Sequence, residues 1–565
     1  MKIISLSFAS AALFAVAVSC SKSSKETEPV VEPEDQQVRV TSVLLSKQHI
    51  DLNAGETYEL IATVIPPNAD NKVVLWNSNK TAVATVNSSG IVKGIGEGNA
   101  VITVTTQMGG KTATCTVSVT GYISNPEEPQ TREWPDTGAE VSEYPIYNKV
   151  STLSEFPRID ITTDDGLPIT SKETYKSGKI SFSDPSKMYS DVTSIPEMTM
   201  KIRGRGNTTW NAEGGIKNPY RLKLSEKKKV FGMKSDKDWI LLADVQDPTL
   251  LRNAVALRIS RLVSMPWTPD YRAVEVYLNG SYAGCYLLVE AKETSLKNKV
   301  PVEPVTGTET NGGYYLEIDD KPDSDLYFIT STFGKQIKYK DPEEPTQAQR
   351  AFIEGYINNV EKKLKEKQFT SESGYRSVME VSTFINNYIV QELTMNVDGN
   401  MRLSAYFAKD RDTRLFMPMV WDFDLSLGNC TYLGKDFDLP YYDGSRDGPK
   451  GWFIKIRGGY PEDNKGKKDT YYQYLFQDSV FVEELKARWN QVKSRLDMIP
   501  GFINKMCEYN APAYDHNAQG GKNPRATRSY TAAPDAFTSW TEAKNWLVNW
   551  YSTRLEWLDS AINSL

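Results

Sequence analysis

The sequence predicts two folded units in series: a small N-terminal β-sandwich and a large α+β body. Three observations carry this expectation. At 565 residues the chain is too long for a single hydrophobic core. From Val38 to Gly121 short β-branched runs alternate with Gly-, Asn- and Pro-containing turns. From Ser151 onward strand-like runs are followed by long segments of helical periodicity. Composition narrows the chemistry. Lys and Arg number 66 against 72 Asp and Glu, a net charge of -6, which argues against a nucleic-acid-binding face. Only two histidines are present, His49 and His516, so a histidine-based triad or a His-rich zinc site is disfavoured. None of the five cysteines forms a C-x-x-C pair.

The chain opens with Lys2 and an apolar run, Ile3 to Val18, too short to span a bilayer comfortably. It has the form of a secretory signal. The ending Ala17-Val18-Ser19-Cys20 resembles a bacterial lipoprotein signal. That resemblance implies residues 1–20 as signal, Cys20 as the lipidated residue, and an envelope location anchored to the outer membrane. Residues 21–37 are rich in Ser, Lys, Glu and Pro and read as a flexible tether.

Within residues 38–121 the strand candidates are 40–45, 58–65, 73–76, 82–86, 100–106 and 113–120. The stretches L-N-A-G-E-T-Y-E-L, I-P-P-N-A-D-N-K-V-V-L-W-N-S-N and A-T-V-N-S-S-G-I-V-K-G-I-G-E-G-N-A-V-I-T-V resemble the group 2 bacterial Ig-like domain. Trp76 reads as a core plug of that sandwich. Residues 122–150, Pro- and Glu-rich, read as a linker with Trp134 as a docking residue.

The body is expected over 151–565. Phe156–Thr162 and Met198–Arg203 read as strands, the second running into Gly204-Arg-Gly-Asn-Thr-Thr-Trp210. Two glycines around an arginine permit tight backbone turns and place basic groups where phosphate can meet them. Lys217–Leu224 follows, with Arg221 and Lys223 on one side by the period of two. After a strand over Trp239–Asp244, Asp247 with Pro248 predicts a helix start. Arg272–Leu278 and Tyr282–Val289, joined by Asn279-Gly280, predict a hairpin, with Glu290 and Lys292 directly after it. A further strand is expected at 313–319. Helices are expected near 347–367, 381–396 and 479–496, and from Thr541 towards Ile562 behind the capping box Ser539-x-x-Glu542. Asn510 to Pro534 reads as a loop.

The chemistry concentrates between Asn396 and Leu427. Two β-like runs, 403–408 and 415–421, suggest a hairpin. Asp398 precedes the first run, and Asp422 and Asp424 follow the second. A hairpin gathers these carboxylates at one end. Phosphoryl transfer needs one carboxylate to orient a hydroxyl and another to hold Mg²⁺ against phosphate. A surface hairpin with acidic ends fits the spacing equally well.

Order and content together resemble the CotH family. The carrying residues are I-R-G-R-G-N-T-T-W (202–210), K-N-P-Y-R-L-K-L (217–224), D-P-T-L-L-R-N (247–253), V-Y-L-N-G-S-Y-A-G-C-Y-L-L-V-E (276–290), N-V-D-G-N (396–400) and W-D-F-D-L-S-L-G (421–428). The resemblance implies a diverged protein-kinase-like fold and an exported kinase using ATP and Mg²⁺ on Ser or Thr of an envelope protein. It implies Asp398 as the hydroxyl-orienting base, Asp422 as metal ligand with Asp424 and Asn400 in support, and Lys223, Arg203, Arg205 and Glu290 around the nucleotide. One departure stands out. Five residues after the base a kinase catalytic loop carries Asn for a second metal, and here that place is Leu403. A catalytically inactive surface module binding protein or glycan is therefore the alternative.

Overall fold

The computed structural model describes residues 37–53, 56–96, 98–120, 132, 134–140, 148–207, 209–211, 215–292, 302–319, 325–370, 373–399, 401, 403–429, 448–454, 470–522, 537 and 539–565. Cys20 and Asn400 lie outside them.

Among the described residues, nine short strands form the N-terminal unit: β1 (Ser42–Leu45), β2 (His49–Asn53), β3 (Thr57–Glu59), β4 (Ala62–Ile65), β5 (Val74–Ser78), β6 (Ala84–Val86), β7 (Ile91–Gly94), β8 (Gly98–Thr106) and β9 (Thr112–Thr120). They make sheets ordered β2-β9-β8-β5, β3-β7-β6 and β1-β4. Alternation along β8 buries Ala100 and Ile102 with Val92, Cys115 and Val117, and Val104 with Val40, Val43 and Val64. Trp76 is half-buried and packs over Gly90 (φ 83°), where an added Cβ would meet the ring at 2.8 Å and Leu60 O at 2.4 Å. It fills the core as expected.

The body starts with a closed seven-stranded barrel. Its strands are β10 (Arg158–Thr163), β11 (Lys176–Ser183), β12 (Ser194–Gly204), β13 (Tyr220–Lys228), β14 (Asp236–Leu242), β15 (Tyr271–Leu278) and β16 (Ser281–Glu290). The order is β10-β11-β12-β13-β14-β16-β15, closed by parallel pairing of β15 with β10. Asn279 (φ 50°) and Gly280 (φ 76°) make the tight turn between β15 and β16, both central residues left-handed as the hairpin requires. Helix α1 (Arg252–Leu262) lies between β14 and β15 in sequence. It begins later than the Asp247-Pro248 signal suggests. Leu250 has φ 58°, and the Asp247 carboxylate accepts hydrogen bonds from the backbone of Thr249, Leu251 and Arg252, so 247–251 forms a capped turn before the helix.

A second sheet, β18-β19-β17-β20, follows from β17 (Tyr314–Ile318), β18 (Tyr327–Ile329), β19 (Gln336–Asp341) and β20 (Ala405–Lys409). The further helices of the body are α2 (Gln347–Lys365), α3 (Val381–Thr394), α4 (Tyr471–Leu475), α5 (Ser479–Leu496), α6 (Ile499–Gln519) and α7 (Trp540–Asn563); α2 and α3 pack on the second sheet, α5 and α7 on α3, and α6 on β15 and β16 of the barrel. Ser539 caps α7 through the backbone N–H of Glu542. The loop expected from Asn510 is helical as far as Gln519, with Pro512 inside α6. One continuous core joins barrel, second sheet and helices.

The 403–421 hairpin is only half regular. β20 is a strand, but the returning run touches it only through isolated bridges, Ala408 to Phe416 and Ala405 to Val420. The reason lies in its backbone partners. Leu415 N–H donates to Val378 O, Met417 N–H to Thr383 Oγ1, and Pro418 has no N–H to give. β20 pairs along its other edge with β17.

Candidate functional site

Barrel, second sheet and the 396–425 stretch enclose a cleft of about 770 Å³, within the range of small-molecule sites. Asp398, Asp422 and Asp424 all line it. Asp398 follows the left-handed end of α3 at Met395 (φ 48°), and its backbone O accepts from Leu403 N–H at 3.1 Å. Asp422 takes φ 69°, a conformation that costs an L-residue energy and concentrates at functional sites. Ser404 Oγ donates to Asp422 Oδ2 at 3.3 Å.

Asp424 belongs to a buried polar knot. Asn253, at the start of α1, donates from its amide to Asp244 Oδ1 at 2.7 Å and to Asp424 Oδ1. Its carbonyl accepts from Phe423 N–H at 3.0 Å. Burial, reinforced by the neighbouring Asp247, pushes the Asp244 carboxyl up to about 7. Burial also drives Asp424 well above the usual carboxylate range, with Asp244 and Asp422 adding repulsion. Carboxylates crowded in this way favour a cation among them.

The basic wall departs from the sequence expectation. Arg203 and Arg205 line the cleft. Arg203 is committed to the backbone carbonyls of Lys172 and Gly204. Arg205 makes no ion pair among the described residues and stands 5.7 Å over the Trp421 ring. The Gly204-Arg-Gly206 pair supports this turn in two ways. Gly206 takes φ 82°, while Gly204 leaves room for the Trp210 ring, which an added Cβ would meet at 2.2 Å. Lys223 is exposed on β13 and does not line the cleft. Arg221, two residues earlier on the same face, does, and pairs with Asp238 at 3.4 Å. Glu290 is buried at the end of β16, its carboxylate accepting from Asp270 N–H at 2.9 Å, and also lies outside the lining. Lys292, two residues further, enters the cleft and pairs with Glu317 Oε1 at 3.1 Å. Lys292 and Glu317 escaped sequence reasoning. The one signal for Lys292 was its spacing of two from Glu290, which puts both on one side of an extended chain.

An all-oxygen donor set at Asp422 and Asp424 fits a hard cation such as Mg²⁺, which takes one or two carboxylates and completes its shell with phosphate and water. Among the described residues no group of three or more His, Cys, Asp or Glu side chains is arranged to hold a metal by itself.

Residues 202–558 match the family described as CotH kinase protein. The chain belongs to the CotH family. Residues 39–117, the N-terminal strands, match the group 2 bacterial Ig-like domain. The protein is thus an Ig-like β domain followed by a CotH domain, and the Ig-like module fits an envelope-associated protein. Among the described residues no helix is long and apolar enough to cross a membrane. A kappa-carrageenase of Pseudoalteromonas carrageenovora is 44% identical over 82 residues, 14% of this chain and 21% of that protein. An Ig-like virion protein of Serratia phage KSP90 is 45% identical over 83 residues, 14% of this chain and 32% of the phage protein. The CotH chain therefore spans a third or less of either relative. An intimin mutant of EHEC O157:H7 aligns over 13% of this chain and 36% of its own, with 26% identity and a TM-score of 0.11.

Proposed function

We propose that the CotH domain is a phosphotransferase of diverged protein-kinase-like fold, moving phosphate from ATP to a Ser or Thr hydroxyl of a protein at the cell envelope. The observation supporting this most is the convergence of Asp398, Asp422 and Asp424 on one cleft with Arg205, Arg221 and Lys292. In this reading Asp398 orients the acceptor hydroxyl and takes its proton. The basic side chains face the phosphate charge, and the cleft walls exclude water from the transfer. Asp422 and Asp424 would hold Mg²⁺, which when bound would supply positive charge against the phosphate oxygens. The test is calorimetric titration of the full chain with Mg²⁺ and ATP. Binding is expected in the wild type and lost in Asp422→Ala. Asp398→Ala is expected to bind but to transfer no phosphate to a Ser/Thr-containing protein. No nucleotide binding by the wild type with Mg²⁺ present sinks the proposal.

A second reading rests on Leu403. At the place of the second-metal Asn stands an apolar side chain, 5% exposed, that cannot ligate a cation. A non-catalytic module presenting the cleft to a protein or glycan follows from it. A ligand found by glycan array or pull-down, with nucleotide binding absent, selects this reading. In either case the apolar leader, Cys20 and the tether support export and lipid anchoring to the outer membrane. Incorporation of labelled fatty acid that survives Cys20→Ala refutes the anchor.

A further inference from the structure

We propose that a second cavity, between residues 134–136, the start of α3 and α5, binds a free α-amino acid with an apolar side chain. The cavity measures about 430 Å³, within the range of small-molecule sites, and shares no lining residue with the acidic cleft. Such a molecule makes three demands: an acceptor for its ammonium, donors for its carboxylate and an apolar surface for its side chain. The lining meets each.

The acceptor is Glu380, which lines the cavity and is 3% exposed. Its Oε1 accepts from Arg132 N–H at 2.8 Å, while Oε2 has no hydrogen-bond partner among the described residues. Glu380 stands at the N-cap of α3, yet its side chain caps no N–H of the helix. Burial raises its carboxyl above the ordinary glutamate value, against the pull of the Arg132 N–H and of Arg414. A buried carboxylate with one hydrogen bond is costly to keep charged, and a ligand ammonium offsets that cost.

The donors are Trp134 Nε1–H and Arg376 Nε–H. Both residues line the cavity, and both atoms are buried with no partner among the described residues. The terminal nitrogens of Arg376 are already committed, Nη1 to Glu484 at 3.0 Å and Nη2 to Asp478 at 3.2 Å. The Trp134 ring packs against Phe416 at 5.0 Å and carries the Arg132 guanidinium at 4.7 Å. What remains for a ligand is the indole edge with its N–H, which suits an oxygen acceptor rather than a stacked sugar. The uncapped start of α3 adds the positive end of a helix dipole. Met379, Val381 and Ile385 are buried and supply the apolar surface. Charge balance points the same way. The guanidiniums of Arg376, Arg414 and Arg488 line the cavity with the carboxylates of Asp136, Glu380 and Glu484, so a molecule carrying both signs and no net charge fits better than an ion.

The test follows L-leucine on the full chain by ligand-observed NMR. Binding is expected with a Kd of about a millimolar or tighter. Leucinamide lacks the carboxylate and N-acetyl-leucine lacks the ammonium. Each is expected to bind about tenfold or more weakly, the loss expected for a charge-assisted hydrogen bond. Glu380→Gln keeps an acceptor for Arg132 and removes the charge. It is expected to weaken leucine about tenfold and to leave N-acetyl-leucine unchanged. Ser382→Trp, at an exposed position lining the cavity, fills it and is expected to abolish binding. Should Glu380→Gln fail to fold, Ser382→Trp decides. No leucine binding by the wild type at about 10 mM, or equal affinity for either derivative, overturns the assignment. Full leucine binding by Ser382→Trp overturns it too. None of these results bears on the phosphotransfer reading, which concerns the other cleft.

Discussion

Replacing Asp136 with Asn should loosen the segment that joins the Ig-like domain to the CotH body. Asp136 receives Arg495 in a two-point grip, Nη1 to Oδ1 at 2.7 Å and Nη2 to Oδ2 at 2.6 Å. Arg488 Nη2 adds a contact at 3.2 Å, Gln491 Nε2 one at 3.0 Å and Ser264 Oγ one at 2.6 Å. The Asp136 side chain is 30% exposed, Arg495 14% and Arg488 16%, so solvent screens the pair only in part. Asn keeps one acceptor but turns an NH₂ towards a guanidinium. Losing the charge-assisted bonds of one arginine predicts a destabilisation of about 2–3 kcal/mol. The hydrogen bond from Arg495, aided by Ser264 and Arg488, holds the Asp136 carboxyl well below the usual carboxylate range. A lowered folded-state value contributes stability that is complete above the unfolded value of about 3.9 and fades as pH falls further. Urea unfolding followed by tryptophan fluorescence should therefore separate wild type from Asp136→Asn at pH 7. The gap should narrow below about pH 4. Amide exchange across residues 134–140 should accelerate in the variant. Coincident midpoints at pH 7 with unchanged exchange would refute the reasoning.

Two further predictions concern the body. Arg554 on α7 is fully buried, pairs with Glu392 of α3 at 2.6 Å and donates to the Gly451 and Pro449 carbonyls. Arg554→Met strands a buried carboxylate and should cost about 3–5 kcal/mol, read as a lowered denaturation midpoint. Glu361 accepts from Phe333 N–H and the Tyr471 hydroxyl, yet burial raises its carboxyl from 4.5 to about 7. With the folded value above the unfolded one, stability falls as pH rises from about 4.5 to about 7, by roughly 1–3 kcal/mol. Glu361→Gln should flatten that part of the stability–pH curve. A curve unchanged by the substitution would rule the group out.

Much of this architecture was legible because its signals were periodic and long. Helices α2, α3, α5 and α7 fell where apolar spacing put them, and Asn279-Gly280 marked its hairpin without tertiary help. The failures have local causes. Asp247 carried a capping signal, but the left-handed Leu250 intervened, so the carboxylate caps from five residues ahead of α1 rather than from its N-cap. The second arm of the acidic hairpin has strand-like composition, but its backbone is claimed by Val378 and Thr383 before it can form a ladder. The acidic half of the site could be read because three carboxylates sit in one stretch. The basic half could be read only in part, in Arg203 and Arg205. Alternation fixed the side of β13 on which Arg221 and Lys223 lie, but not how far along it the opposite wall reaches. Lys292 depends on Glu317 and Tyr406, 25 and 114 residues away, and no local pattern encodes that meeting.

The strap at 134–140 and the acidic knot share one support, helix α1. At its N-terminal end Asn253 bridges Asp244 and Asp424 and fixes the backbone of Phe423. Just past its C-terminal end Ser264 accepts from Gly138 N–H at 2.8 Å and donates to Asp136. Gly138 lies so close that a Cβ there would meet Leu262 O at 2.2 Å. Eleven helical residues rise about 16 Å, a short rigid span whose residues are nearly all buried. On the other side Trp134 packs on Phe416 at 5.0 Å, and Arg132 meets Glu380 and Asp410. Phe416 opens the run that ends at Trp421 and Asp422. The strap therefore touches the run that carries Asp422 and Asp424 at Phe416, six and eight residues upstream of them, and the helix whose Asn253 holds Asp424. A chain cut at Ser151 would uncover Ser264, Phe416 and two arginines at once. Physically, residues 132 and 134–138 pack as part of the CotH body, against α1 and against the run that leads to the acidic pair.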